Sequence, residues 1–73
     1  MLKVGDTVKV IGKATTGHRL IRYGTICTVL TVSKEFYGKY YYGLSENKLY
    51  GNRINGYYFE EDLEKGHLEW VKE

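Results

Sequence analysis

Proline is absent from this sequence and cysteine occurs once, at Cys27. Without proline there is no stiff Pro-rich linker and no Pro-rich ligand segment. One cysteine allows no intramolecular disulfide and excludes a four-cysteine zinc site. Its neighbours Ile26, Thr28 and Val29 point to a strand residue rather than a reactive thiol. No apolar run approaches the roughly 20 residues that cross a bilayer. The opening MLKVGDTVKV turns polar too early for a secretory signal. The expectation is a reduced, cytoplasmic protein without a membrane association. At 73 residues there is room for one core, so 1–73 reads as a single domain. A chain this short has little surplus stability for a deep, strained catalytic cleft.

Acids are also scarce in the first part of the chain. Residues 1–40 carry seven Lys/Arg against Asp6 and Glu35, giving +5, and residues 41–73 carry four against seven acids, giving −3. The sum is the formal +2 of the whole chain. That total is too small to announce nucleic acid, but the uneven distribution makes the folded molecule polar from face to face.

What the chain has in abundance is tyrosine, eight in all, a residue suited to half-buried pleated surfaces. VGDTVKVIG reads as a first strand, with Val4, Val8 and Val10 inward and Gly5–Asp6 as a bend at its start. GTICTVLTVS reads as a longer second strand. Ile26, Thr28, Leu30 and Val32 share one parity, yet Cys27 and Val29 on the other are apolar too. Burial on both faces, or a bulge that lets the strand serve two sheets, accounts for the mixture. KYYYGL gives a third strand, in which Tyr40, Tyr42 and Leu44 alternate with Tyr41 and Gly43. GYYF gives a fourth, opened by the turn pair Asn55–Gly56. LEWV gives a fifth, with Leu68 and Trp70 together, and EEDLEKG before it offers one helical turn at most. Together they predict an all-β, five-stranded barrel in which the last strand closes against the first.

LKVGDTVKVIG, GTICTVLTV and YYFEEDLE taken together resemble the small SH3-like barrel domains encoded by Firmicutes and their phages or prophages. The resemblance covers nearly the whole chain and implies an SH3-like barrel with a long first loop. The polar stretch ENKLYGNRIN is longer than the third-to-fourth hairpin of that pattern. Barrels of this kind serve peptide, protein, DNA and RNA binding alike, so the likeness implies architecture more than activity.

The long first loop, GKATTGHRLIRYG, holds three glycines, four basic side chains with His18 counted, and no acid. Connections beyond about 12 residues tend to be functional or mobile. Lys13, His18, Arg19 and Arg22 can reach phosphates or an acidic protein surface, and Tyr23 can stack. Alternatively Leu20 and Ile21 tuck into the barrel end and the charges keep the loop soluble. If Tyr40 and Tyr42 are inside, Tyr41 faces outward, and one of Tyr57 and Tyr58 must face outward as well, either as sheet-stabilising cross-strand pairs or as a binding platform. Tyr37 and Tyr50, in loops, have less structural reason to be aromatic. The candidate contact set is therefore Lys13, His18, Arg19, Arg22, Tyr23, Tyr37, Tyr41, Tyr50 and Tyr57.

No catalytic, cofactor or metal constellation stands out. His18 and His67 are far apart, with no carboxylate at ligand spacing around either, and the acids of EEDLE suit a helix start and solubility. The sequence predicts a non-enzymatic binding module without a cofactor, monomeric or weakly homo-oligomeric. A protein partner stands ahead of nucleic acid because of the modest net charge and the acidic second half.

Overall fold

The computed structural model describes residues 1–14, 21–34, 38–46 and 53–71. Its elements are β1 (Thr7–Val10), β2 (Ile26–Lys34), β3 (Tyr40–Ser45), β4 (Gly56–Phe59), the short helix α1 (Glu60–Glu64) and β5 (Leu68–Val71). They form one antiparallel sheet in the order β4-β3-β2-β1-β5, curled into a half-barrel. Among the described residues no helix is long and apolar enough to cross a membrane.

The core lies on the inner face of this curl. Val8 and Val10 of β1, Cys27 and Val29 of β2, Tyr42 and Leu44 of β3, Tyr58 of β4 and Leu68 of β5 are all buried there. In β3 and β4 it is the parity of Tyr42, Leu44 and Tyr58 that faces inward, with Tyr40 only half-buried. In β2 the register slips between Val29 and Thr31. That bulge reverses the parity, so Cys27 and Val29 point inward before it and Val32 packs on the same core after it. The mixed apolar pattern of β2 thus comes from a bulge, within one sheet rather than two.

Two expected core positions are corrected. Val4 is 65% exposed. A turn over residues 3–6 precedes β1: Asp6 N–H donates to the Lys3 carbonyl and Lys3 N–H to Asp6 Oδ2, with Gly5 at φ 97°. Val4 therefore sits on the turn, and Leu2 fills the core in its place. Trp70 has the same parity as Leu68 but stays exposed, because β5 is the last strand of the sheet.

The sheet is also not a closed cylinder. β5 pairs with β1 as expected, yet β4 and β5 are the two ends of the ladder and are not neighbours in it. The chain passes between them through α1. This helix starts at Phe59, which has no side-chain acceptor, so capping comes from Asp62 Oδ2, which accepts the Phe59 N–H at 2.9 Å. It ends in a Schellman motif, with Gly66 N–H donating to the Leu63 carbonyl and His67 N–H to the Asp62 carbonyl. Gly66 adopts φ 81°, a left-handed conformation that a Cβ would strain.

The connection from β1 to β2 adds a second bridge. Ile11 and Gly12 N–H both donate to the His67 carbonyl, at 2.9 and 3.0 Å. A Cβ on Gly12 would lie 2.9 Å from His67 Cδ2, so only glycine lets the backbone come this close. Ala14 and Ile21 are buried, and Ile21 packs against Gly56 at the start of β4. Gly56 thus belongs to the strand and keeps space for Ile21, rather than forming the expected positive-φ turn with Asn55. His67 in turn is held through Nδ1 by Asp62 Oδ1 at 2.9 Å, and that carboxylate is fully buried.

Asp62 therefore joins the start of α1 to His67, and His67 joins the first connection to β5. Truncating Asp62 leaves two donors without their acceptor. We expect chemical denaturation of Asp62→Ala to show a loss of about 2–6 kcal/mol, two unmade bonds at roughly 1–3 each. Glu61, whose ion pairs are solvent-exposed, should cost under about 1 kcal/mol when replaced by alanine. Equal losses for the two variants would rule the clamp out.

Candidate functional site: the outer sheet face and the first connection

Because the inner face is filled, every side chain available for contact lies on the outer face or at the ends of the sheet. In β3 and β4 the register sets Tyr41 opposite Phe59 and Gly43 opposite Tyr57. These are the positions between the buried Tyr42, Leu44 and Tyr58, so their side chains point outward. Tyr41 meets Tyr57 edge-to-face at 5.6 Å between centroids, and Phe59 at 6.5 Å. Tyr57 is 40% exposed. A Cβ at Gly43 would lie 2.5 Å from Thr31 Oγ1 and 3.0 Å from Ile54 Cδ1, so Ile54 covers the gap beside Tyr57. Lys39 carries its ammonium 5.8 Å from the Phe59 ring centroid and 3.3 Å from Glu61. The result is a pre-packed aromatic group beside a cation that is shared with a carboxylate.

The first connection presents a different surface. Lys13 is exposed beside the buried Ala14, and Arg22 and Tyr23 are exposed where the chain returns toward β2. Thr25 N–H closes a turn onto the Arg22 carbonyl. Of the expected contact residues, the structure thus brings Tyr41 and Tyr57 together on one patch and sets Lys13, Arg22 and Tyr23 along the connection. His18, Arg19, Tyr37 and Tyr50 lie outside the described residues. Phe59 and Lys39 belong to the aromatic patch but were missed. Strand pairing across β3 and β4 was the signal that could have found Phe59, since in β4 Gly56 and Tyr58 alternate with Tyr57 and Phe59.

Three further groups have defined roles. The Tyr42 hydroxyl donates to the Glu60 carboxylate and accepts the Leu2 N–H at 3.2 Å, tying α1 and the N-terminal segment to the core. The Tyr58 hydroxyl donates to the Gly12 carbonyl at 3.4 Å. Burial pushes the Cys27 thiol up to about 11, helped by Glu46, so it is protonated at neutral pH and serves as packing opposite Val8. His67 has a carboxylate partner in Asp62, five residues before it, which bonds its ring rather than forming part of a metal site. Its neighbours Glu60 and Glu61 are half-exposed, but Asp62 is a buried cap and clamp rather than a solubilising charge. A cleft of about 290 Å³ opens between Gly38–Tyr40 and the Glu60, Glu61 and Glu64 side of α1. Two of its carboxylates are already engaged: Glu60 by Tyr42, and Glu61 by Lys39 and Lys65. Among the described residues no group of three or more His, Cys, Asp or Glu side chains could hold a metal ion.

Compared with protein-family models, curated proteins and solved structures, the chain matches none.

Burial raises Tyr58 from the ordinary value of 10 to about 12, with smaller contributions from Asp62, Tyr23 and Cys27. Burial and the bond to Glu60 raise Tyr42 further. A raised phenol binds its proton more tightly in the folded state, so its stabilisation is complete below pH 10 and is lost as pH climbs through the folded value. Unfolding should therefore set in between about pH 10 and 12. Tyrosinate absorbance and circular dichroism followed together should show these phenols ionising as the sheet is lost. Tyr58→Phe should flatten the alkaline slope, and an unchanged slope would contradict this origin.

Proposed function

We propose that this chain is a non-enzymatic, SH3-like binding module that docks on a protein partner. The antiparallel order β4-β3-β2-β1-β5, the long first connection and the short helix before the last strand support the architecture. The observation that carries the functional reading is the outward aromatic group Tyr41–Tyr57–Phe59, held in register on a rigid sheet. Tyrosine offers large contact area with few rotatable bonds, and such anchors dominate protein interfaces. The basic first connection, with Lys13, Arg22 and Tyr23 exposed, supplies the charged part of the contact. The resemblance to phage-encoded barrels extends the proposal to a host protein as the partner.

Nucleic acid is the second reading, favoured by the basic connection. Against it, the edge-to-face rings of Tyr41, Tyr57 and Phe59 do not form a flat stacking row, and Lys39 is shared with Glu61. A phosphate backbone would need unshared cations along its path.

Two titrations separate these. A mixed-sequence oligonucleotide is titrated at low and moderate salt, with wild type and with Arg19 and Arg22 both changed to alanine. The protein-partner proposal expects little binding, and a log–log salt slope of about one per phosphate neutralised, abolished in the double variant, would overturn it. In parallel, a protein captured from bacterial lysate should bind Tyr57→Ala at least about tenfold more weakly, as for an interface anchor. Equal binding by this variant would show that the aromatic patch is not the contact.

A further inference from the structure

One row of the outer face carries a charge of each sign. On β1, Thr7 and Lys9 alternate with the buried Val8 and Val10, and on β2, Ile26 and Thr28 alternate with the buried Cys27 and Val29. All four therefore face outward. Pairing across the ladder sets Ile26, Lys9 and Glu69 in one row and Thr28, Thr7 and Val71 in the next. Directly opposite residues share a face, so Glu69 and Val71 point outward as well. Ile26 is 49% exposed, and Thr28 and Glu69 are exposed too. Lys9 and Glu69 stand opposite each other, yet among the described residues no ion pair joins them. The second row holds no charge. Glu46, whose charge reaches Cys27, follows β3, and β2 separates it from β1 and β5.

Such a row selects its occupant by sign and by order. A phosphate backbone or an acidic segment meets Glu69, and a basic segment meets Lys9. The surface that satisfies both offers an ammonium and a carboxylate one strand apart in the reverse order. A second copy of the same face does so after a half-turn about an axis parallel to the strands and midway between β1 and β5. That half-turn keeps each residue at its height along the strands and exchanges β1 with β5. Lys9 then faces Glu69 of the second copy, and Glu69 faces its Lys9, so one contact makes two ion pairs. Thr7 and Val71 meet in the same exchange, and each Ile26 flanks one of the pairs on its outer side. An axis over β1 itself would set Lys9 on Lys9, so the charges discriminate between registers.

We propose that the outer face of β1 and β5, with Lys9, Glu69, Thr7 and Val71 at its centre and Ile26 at its flank, docks a second copy of this chain. The inference goes beyond the protein-binding module and does not depend on it. Tyr41, Tyr57 and Phe59, toward the β4 end of the sheet, stay open to another partner. The outer face of a curled sheet is convex, and two short rows fall below the roughly 800 Å² per partner of a standard stable interface. The dimer is therefore weak, with a dissociation constant of about 0.1–1 mM. Its ion pairs are at the surface, so added salt loosens it further.

The test is a dilution series of the full isotope-labelled chain at low salt, from about 2 mM downward. Wild type should show saturable, concentration-dependent amide shifts at residues 7–9, 26–28 and 69–71. Lys9→Glu alone and Glu69→Lys alone should each weaken self-association at least about tenfold, because both contacts between copies become like-charged. An equimolar mixture of the two variants should restore it, since both contacts then join opposite charges again. Within each chain positions 9 and 69 stay like-charged on mixing, so recovery reports contact between copies rather than a repaired fold. Ile26→Thr retains strand propensity and every charge, and should loosen the dimer about threefold even where a swap variant fails to fold. Signals independent of concentration would overturn the inference. So would shifts confined to Tyr41, Tyr57 and Phe59, association that the mixture does not recover, or undiminished association of Ile26→Thr. None of these results touches the protein-partner proposal, which the Tyr57→Ala capture tests separately.

Discussion

The structure depends on how a five-stranded sheet disposes of its two ends. Hydrogen bonding links β4 to β3, β2, β1 and β5 in turn and stops there. Exposed edges invite pairing with other chains, and proteins of this size blunt them with turns or short helices. Here the bridge is one buried carboxylate. Asp62 caps the first turn of α1 through Phe59 N–H and holds His67 through its ring, while the His67 carbonyl takes both Ile11 and Gly12 N–H. The stretch from Phe59 to His67 and the distant Ile11–Gly12 segment thus converge on two residues. In a 73-residue chain with no disulfide, such convergence substitutes for the covalent staple that small domains often need.

That closure gives the first connection two roles. Gly12, Ala14 and Ile21 are structural, seated against His67, the core and Gly56. Lys13, Arg22 and Tyr23 stay exposed beside these anchors. A loop fixed at both feet presents its charges with less ordering cost than a free one, which favours recognition on a rigid scaffold. Because the inner face is packed with Tyr42, Leu44 and Tyr58, contact surfaces are left to the outer face. There the aromatic patch of β3–β4 lies toward the β4 end of the sheet, and the exposed Ile26 faces outward beside Lys9 nearer the β5 end.

How much of this is legible in the sequence depends on whether local pattern decides the outcome. In Tyr40–Leu44 alternation narrows the choice to two parities, and the structure takes the one that buries Tyr42 and Leu44, with Tyr40 half-buried and the small Gly43 covered as well. The apolar residues of both parities in β2 point to the bulge, but only the pairing with β3 places it between Val29 and Thr31. Val4 misleads because apolarity alone cannot show that the turn ending at Asp6 delays the strand to Thr7. Asp62 looks like its solvated neighbours Glu60 and Glu61, and its burial follows from tertiary packing of α1. The exposure of Ile26, opposite Lys9, and of Ile11, just past β1 with its N–H on the His67 carbonyl, depends on strand partners that a single strand's pattern does not contain.

Native-state hydrogen exchange tests the closure most directly, because it reports the free energy of opening at each amide. The account expects the amides of Ile11, Gly12, Phe59 and His67 to exchange only with global unfolding, as slowly as those of Val10 and Val29 inside the sheet. Exchange of these four through local opening, while Val10 and Val29 remain protected, would show that the half-barrel stands without the Asp62–His67 bridge and would contradict the account.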